Sequence, residues 1–421
     1  MSVKIIGLGG FCEVGRSAVL IDTGTEHILF DYGIDVQTSE PPYEPLDQKW
    51  AQNINGVFLS HAHLDHSGHI PFLYRRGYTK NVYATETTHN LCSLLLRDSL
   101  KVQELKGERP HYTTEDIIHM EQHRKNVRYG QSIAAGSAHI AVHDAGHTPG
   151  SALFVLEAQK RRFLYTGDIN FIDTVLLQGA RSDFNNIDAV ICEATYAFRE
   201  HPDREALTQQ LKERVRDIYS AGGVVILPCF AVGRTQEMLL LMKELDIPIY
   251  LDGMGIAASK IILSDPASVR NVHALKEAFG KAKKIANNGQ RFSAIKKAGI
   301  IITTSGMLNG GPVNFYIKKM HKREDCALFL TGFQVPGTVG HTLLTTGRYV
   351  NEGMDVKPKF TTEYFDFSSH TDRAHLLTFI KKTNPEKIVL VHGDRNPDFA
   401  EDLTKMGFNA SAPKNYVITE V

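Results

Sequence analysis

The segment "VFLSHAHLDHSGHIP", Val57 to Pro71, concentrates four histidines and an aspartate in one short stretch. His61, His63, Asp65 and His66 form an H-x-H-x-D-H pattern directly after "GVFLS" (Gly56–Ser60), which reads as a short buried strand. On extended backbone, residues i and i+2 project to the same side. His61 and His63 can therefore converge, while Asp65 and His66 arrive from the following turn and helix start. Imidazole nitrogen combined with carboxylate oxygen suits a borderline cation such as Zn²⁺, in contrast to the all-oxygen sites of Mg²⁺ or Ca²⁺. Two such cations about 3.5–4 Å apart can share a hydroxide at neutral pH and clamp the oxygens of a phosphodiester. The chemistry indicated is hydrolysis of an electrophilic centre, and the cluster alone leaves lactam, thioester, lactone and phosphodiester open.

More ligands are required, and they are expected where polar residues end apolar runs. His147 follows "AVHDAG" and precedes "TPG", Asp168 ends "FLYTG", and His392 ends "IVLV". Each stands at the C-terminal edge of a predicted strand. The first part of the chain reads as β-rich. Strands are expected at Ser17–Asp22, Glu26–Gly33, Ala138–Gly146, Ser151–Ala158 and Arg161–Asp168, with helices over Thr87–Leu100 and Thr113–His123. The middle changes character. An amphipathic helix over Arg204–Gly222 ends at a Gly pair, "VVILPCF" is a buried strand, Gly233–Leu245 is a helix and Ile247–Gly253 a strand. "GIIITTSGM" and "CALFLTGF" repeat the pattern, so this region is built of βαβ units on a largely parallel sheet. The last segment runs through "FDFSSHTD", a helix "RAHLLTFIKK" and the strand Lys387–Asp394.

At 421 residues the chain exceeds the usual size of a single core, so two domains, or one with a large insertion, are expected. Formal net charge is zero, which argues against a surface that binds nucleic acid indiscriminately but leaves room for a local basic groove. Basic residues do cluster: Arg75, Arg76 and Lys80; Lys160, Arg161 and Arg162; Lys281, Lys283 and Lys284; Arg291, Lys296 and Lys297; Lys318, Lys319, Lys322 and Arg323. Solvated helix faces are the plain reading of these. The five cysteines are scattered and never at C-x-x-C spacing, which argues against both a zinc-thiolate site and structural disulfides. No apolar run could span a bilayer and the N-terminus lacks signal-peptide features, so a cytoplasmic protein without membrane partners is expected.

The order of elements, with Asp31 in "LFDYG", the His61–His66 cluster, His147 and Asp168, resembles the metallo-β-lactamase superfamily. The long excursion between Asp168 and His392 carries "ICEATY" with Glu193, "LPCFAVGRTQEML", "YLDGMG", "TTSGMLNGGP" and "TGFQVPGTVG". These look like the β-CASP group of nucleic-acid-processing members, whose added motifs match as Glu193, His370 and His392. The combination of "GFQVPGTVG" with "SSHTD…LVHGD" is most similar to archaeal homologues of the endonuclease subunit of the cleavage and polyadenylation specificity factor. The KH modules of longer relatives and the C-terminal domain typical of ribonuclease J are not found in this sequence.

The resemblance implies an α/β fold: a metallo-β-lactamase αββα sandwich with an inserted β-CASP domain on a mainly parallel sheet flanked by helices. It implies residues 1–197 as the first part of the hydrolase domain, 198–358 as the insertion, and 359–421 as the C-terminal part with the last ligand. It implies two Zn²⁺, one held by His61, His63 and His147, the other by Asp65, His66 and His392, with Asp168 bridging and Asp31 orienting a ligand or the site water. His69 has no ligand counterpart and is expected to be structural. The implied activity is a ribonuclease acting on single-stranded RNA. A metal-bridging hydroxide attacks phosphorus, His370 oriented by Glu193 protonates the leaving 3′-oxygen, and the products carry 5′-phosphate and 3′-hydroxyl ends. Endonuclease and 5′-to-3′ exonuclease modes both fit, as do a homodimer and protein partners in RNA processing. The rival readings are a DNA-processing nuclease of the same group and a non-catalytic RNA-binding scaffold.

Overall fold

The computed structural model describes residues 2–44 and 49–421, and the chain divides into two compact units. The first comprises residues 1–173, 178–200 and 369–421, and the second residues 174–177 and 201–368. No helix among the described residues is long and apolar enough to cross a membrane.

The first unit holds two seven-stranded sheets. One runs in the order Ile418–Glu420, Lys4–Gly9, Ala18–Asp22, His27–Phe30, Gly56–Phe58, Val82–Thr85, Arg124–Val127, antiparallel up to His27–Phe30 and parallel from there on. The other runs Ala410–Ser411, Lys387–Val391, Ala189–Glu193, Arg161–Tyr165, Ala152–Ala158, Ala138–Asp144, Ser132–Ala135, parallel over its first four strands and antiparallel over the rest. Alternate residues of both sheets face a shared core: Ile5, Ile21, Ile28 and Phe30 meet Ile140, Phe154, Phe163 and Ile191. The Phe30 ring lies 5.6 Å from Phe154 and 5.0 Å from Tyr165. On the outer face of the second sheet, Leu376, Phe379 and Ile380 from the helix Arg373–Thr383 pack with Phe399 and Leu403 from Asn396–Lys405. Helices on a pair of facing sheets make this the expected sandwich.

Glu26 ties the two sheets at one corner. Its Oε1 accepts from Ser137 N (2.8 Å) and Ser137 Oγ (2.7 Å), and its Oε2 from the hydroxyls of Thr23 (2.9 Å) and Thr25 (2.5 Å). Burial would raise the carboxyl pKa, but these donors outweigh it and hold it at about 2. A depressed carboxylate stabilises the fold above its unfolded pKa of about 4.3, and that contribution is lost as pH falls towards 2. Glu26→Gln presents an amide NH₂ to donors and should cost about 1–3 kcal/mol at pH 7 in urea unfolding. The difference from the parent protein should shrink as pH drops from about 4.3 to 2; a pH-independent difference would refute the carboxylate's role.

The second unit is a six-stranded, wholly parallel sheet in the order Lys283–Ile285, Ile249–Asp252, Gly299–Thr303, Val224–Pro228, Ala327–Leu330, Thr361–Tyr364, with a small hairpin of Tyr349–Asn351 and Met354–Val356. Its central strands "VVILP", "GIIIT" and "ALFL" are buried throughout, as a parallel sheet covered on both faces requires. The helix Arg204–Ser220 starts at Asp203, whose side chain accepts from Ala206 N, and its buried stripe is Leu207, Leu211 and Val215.

Candidate metal centre

The candidate metal-ligating and catalytic residues all lie in the first unit, most of them on segments leaving the C-terminal ends of parallel strands: Asp31 after His27–Phe30, His61–His66 after Gly56–Phe58, Asp168 after Arg161–Tyr165, Glu193 ending its own strand, and His392 after Lys387–Val391. His147 joins them from the loop after Ala138–Asp144.

His61 Nε2 lies 3.1 Å from His63 Nδ1 and 3.5 Å from Asp168 Oδ2; His147 Nε2 lies 3.5 Å from His63 Nδ1 and 3.6 Å from Asp168 Oδ2. These four atoms define one convergent set. His66 Nε2 and His392 Nδ1 lie 3.2 and 3.6 Å from Asp168 Oδ1, and His392 Nε2 lies 3.5 Å from Asp65 Oδ2, which defines a neighbouring set on the other oxygen of Asp168. His61, His63, His147 and Asp168 have ligand-type atoms close enough to share an ion, and so have His66, Asp168 and His392, while Asp65 groups with His61 and His66.

On His61, His66 and His147 the far nitrogen is spoken for, which fixes which atom faces inward. His66 Nδ1 donates to Asp31 Oδ2 at 2.7 Å, His147 Nδ1 donates to the Ser369 carbonyl at 2.8 Å, and His61 Nδ1 meets the Ser60 hydroxyl at 3.0 Å. Asp31 also accepts from Ser60 N, Ser60 Oγ and Tyr165 Oη, each at 2.7 Å. It is fully buried and held at φ 57°, a left-handed conformation that aspartate tolerates better than most residues. His392, at φ 49°, is anchored by Thr195, whose hydroxyl donates to the His392 carbonyl at 2.9 Å.

Burial holds the His61, His63 and His147 pKa values below the ordinary histidine range, and neighbouring imidazoles add to the effect. Neutral imidazole is the form that ligates metal. Burial alone would raise Asp168 and Asp65, but the surrounding histidines outweigh it and keep both carboxyls ionised. His66 runs against its own burial: Asp168 and Asp31 raise its pKa well above normal. A cation and a proton compete for the same place on its Nε2. Among the described residues His392 Nε2 and Asp168 Oδ1, which face Asp65 and the His66 ring, are buried without a hydrogen-bond partner, which is costly unless something else completes them. Three buried neutral imidazoles, two more whose protons the neighbouring carboxylates hold and a cation could displace, and orphaned ligand-type atoms fit divalent metal ions.

His370 and Glu193 flank the cluster. His370 Nδ1 lies 3.1 and 3.0 Å from the two Glu193 oxygens, and its Nε2 is 4.0 Å from Asp168 Oδ2. Glu193 Oε1 accepts from Ile169 N at 2.8 Å, which fixes the carboxylate. Burial pushes the His370 pKa down, but Glu193 and Asp168 outweigh it and raise it to about 9. Asp168, Glu193 and His370 could in isolation hold an ion. The Nδ1–Glu193 pairing makes them an ion pair at the edge of the cluster instead. His69 takes no part: it is buried, its ring stacks on Phe72 at 4.5 Å and packs on Tyr32 at 5.2 Å.

Sequence reasoning missed Ser60, Tyr165, Thr195 and the Ser369 carbonyl. Ser60 is the immediate neighbour of His61 and Tyr165 stands three residues before Asp168, and that proximity was the available signal. Nothing in the sequence marks a single backbone carbonyl. Gly33 is a further positioning feature: a Cβ there would sit 1.8 Å from the Asp65 carbonyl oxygen, because the "FDYG" loop packs on the backbone of the histidine segment. Gly33→Ala should therefore displace Asp65 and His66 and cost about 1–3 kcal/mol or more. Thermal unfolding with and without added Zn²⁺ would read both effects, and a variant with unchanged stability and unchanged zinc-dependent stabilisation would contradict the packing argument.

Comparison with known proteins agrees with this architecture. Residues 19–193 match a metallo-beta-lactamase superfamily domain, residues 235–343 a Beta-Casp domain, and residues 353–413 a Zn-dependent metallo-hydrolase RNA specificity domain. The chain is 35% identical to "Probable RNase MJ4" of Methanocaldococcus jannaschii over 98% of both proteins. It is 32% identical to "RNase aCSPSF2" of Saccharolobus solfataricus over 97% of this chain and 83% of that one, and 31% identical to "Transcription termination factor FttA" of Pyrococcus abyssi over 98% and 70%. A crystal structure of a protein of unknown function from Enterococcus faecalis V583 superposes with a TM-score of 0.64 over 100% of each chain, at 15% identity, a likeness of fold alone. Identity above 30% to such relatives along nearly the whole length of this chain establishes that it belongs to the β-CASP group of the metallo-β-lactamase superfamily and is a metal-dependent hydrolase.

Proposed function

We propose that the protein is a two-zinc ribonuclease that hydrolyses phosphodiester bonds of single-stranded RNA, leaving 5′-phosphate and 3′-hydroxyl ends. The observation that carries this reading is the juxtaposition of a seven-residue histidine and aspartate cluster with a histidine that holds its proton. His61, His63 and His147 would hold one ion, Asp65, His66 and His392 the other, with Asp168 between them. Bound there, the ions would activate water at neutral pH and neutralise charge on the phosphoryl oxygens. Asp31 fixes the tautomer and orientation of His66 through the 2.7 Å contact to its Nδ1. Glu193 holds the proton on His370 Nδ1, so Nε2 carries the second N–H and can deliver it to the departing 3′-oxygen. The match to a domain described by RNA specificity, and two relatives named as RNases, support RNA as the substrate.

The test uses one RNA labelled at either end and prepared with 5′-triphosphate, monophosphate or hydroxyl. Internal fragments from all three would identify an endonuclease. Mononucleotides released only from the monophosphate form would identify a 5′-to-3′ exonuclease. The matching DNA strand should be cut at least about tenfold more slowly, because the 2′-hydroxyl is what distinguishes the two sugars. No cleavage of any RNA in the presence of Zn²⁺ would end the proposal.

A further inference from the structure

We infer that the second unit carries a separate binding surface for single-stranded RNA, centred on Phe292 and outside the metal cluster. The inference rests on the proposed action on RNA. Its basis is a segregation of charge in a chain whose net charge is zero. Between Glu277 and Glu324 there is no acidic residue at all, while three of the basic clusters fall in that interval. Some of these cations are answered by carboxylates from outside it: Lys281 by Glu277 (2.8 Å), Arg291 by Asp252 (2.6 Å), Lys318 by Glu352 and Arg323 by Asp325 (2.6 Å). Among the described residues Lys296, Lys297, Lys319 and Lys322 have no carboxylate within ion-pair distance, and all four are exposed.

The fold joins the two segments that carry these four. Phe292, on the helix Asn288–Ala294, meets Phe315, on the helix Val313–Met320, edge-on at 5.0 Å. Lys319, one helical turn beyond Phe315, holds its ammonium 5.4 Å from the Phe292 ring centre. Arg323 donates to the Ile295 carbonyl, which ties the segment that carries Lys322 to the one that carries Lys296 and Lys297. Phe292 is nevertheless 42% exposed. A partly exposed phenyl with one lysine over its ring, and further lysines without carboxylate partners on the adjoining segments, is poor use of an apolar side chain for folding, but it is what binds single strands: a face for a base and cations for the flanking phosphates.

The position within the unit separates this surface from the usual ligand edge of a parallel sheet. The helices Asn288–Ala294 and Val313–Met320 run back to the N-terminal ends of the strands Gly299–Thr303 and Ala327–Leu330. Lys296, Lys297 and Lys322 therefore lie at the sheet edge opposite the loops that follow the strands, where α/β ligands ordinarily bind. Lysines near helix C-termini also answer the helix dipole. That accounts for Lys318 and Lys319, but not for the exposed ring nor for the absence of any interleaved acid.

The probe is a fluorescein-labelled 30-nucleotide polyuridine, bound to the full-length protein in EDTA so that cleavage does not intervene. Reversing Lys296, Lys297, Lys319 and Lys322 to Glu should weaken binding more than tenfold and make the slope of log K against log salt shallower by about 2 to 3. The same four changed to Gln should give an intermediate loss, which separates charge from misfolding. Phe292→Ala should weaken binding about 5- to 100-fold with the salt slope unchanged. Affinity and slope within twofold of the parent in all three variants would overturn the inference. So would loss of binding to a polyglutamate peptide with RNA affinity retained, which would make the face a dock for acidic protein. Cleavage of RNA by the parent protein with Zn²⁺ is scored separately, so failure of the proposed activity is distinguishable from failure of this surface.

Discussion

Asp168→Ala should lower bound zinc from two ions per chain to fewer than one and slow hydrolysis by more than about 10³-fold. The expectation follows from the position of its two oxygens. Oδ2 lies within 3.5–4.0 Å of His61, His147 and His370, and Oδ1 within 3.2–3.6 Å of His66 and His392. Among the described residues it is the carboxylate that groups both with His61, His63 and His147 and with His66 and His392. Removing it leaves each set with imidazoles and at most one carboxylate, Asp65, for a total cation charge of four. Elemental analysis after gel filtration measures metal directly, so the result does not depend on activity. His63→Ala is the useful contrast, because His63 faces only the first set and should lose one ion and keep the other. If Asp168→Ala retained two zincs per chain, the carboxylate would not bridge them.

Much of this site was legible because it is local. His61, His63, Asp65 and His66 announce themselves by spacing, and His147, Asp168 and His392 by standing where apolar runs stop. The strand and helix expectations for Ala138–Gly146, Arg204–Gly222 and Lys387–Asp394 correspond to elements at Ala138–Asp144, Arg204–Ser220 and Lys387–Val391, which differ mainly at their ends. What was not legible is what depends on one sheet meeting the other. Asp31 accepts from Ser60 of one sheet edge and from Tyr165 of the opposite sheet, a convergence that no local pattern encodes. The edge strands Lys283–Ile285 and Thr361–Tyr364 carry polar and basic residues at most positions and give no strand signal of their own, yet they pair in register with buried strands. Tertiary pairing overrode weak local preference there. The basic clusters invited the plain reading of solvated helix faces because periodicity says nothing about which two helices lie side by side. The contact of Lys319 with Phe292 comes from that adjacency.

The other large effect concerns the proton. His370→Ala should slow RNA cleavage by about 10²–10⁴-fold while both zinc ions stay bound, the range expected for loss of a positioned general acid. The argument starts from the ion pair: Glu193, fixed by Ile169 N, holds the proton of His370 Nδ1 and raises the pKa of the ring. A group acting as an acid is active below its pKa, so the rate should fall as pH rises through it. Bound cations would offset the share that Asp168 contributes and leave that of Glu193, so the alkaline limb should lie between the ordinary value of about 6.5 and the raised value of about 9. Glu193→Gln keeps the shape but removes the charge, and should shift that limb to lower pH by about one unit, with a larger loss at pH 8 than at pH 6. A purely structural role would scale the whole profile down without moving it. The leaving group gives the sharper discrimination. An RNA with sulfur in place of the 3′-bridging oxygen departs as a thiolate that needs no protonation, so His370→Ala should cleave it at close to the parental rate. If the variant were as defective on the sulfur substrate as on the oxygen one, His370 would not be the acid, and the contact with Glu193 would serve folding rather than chemistry.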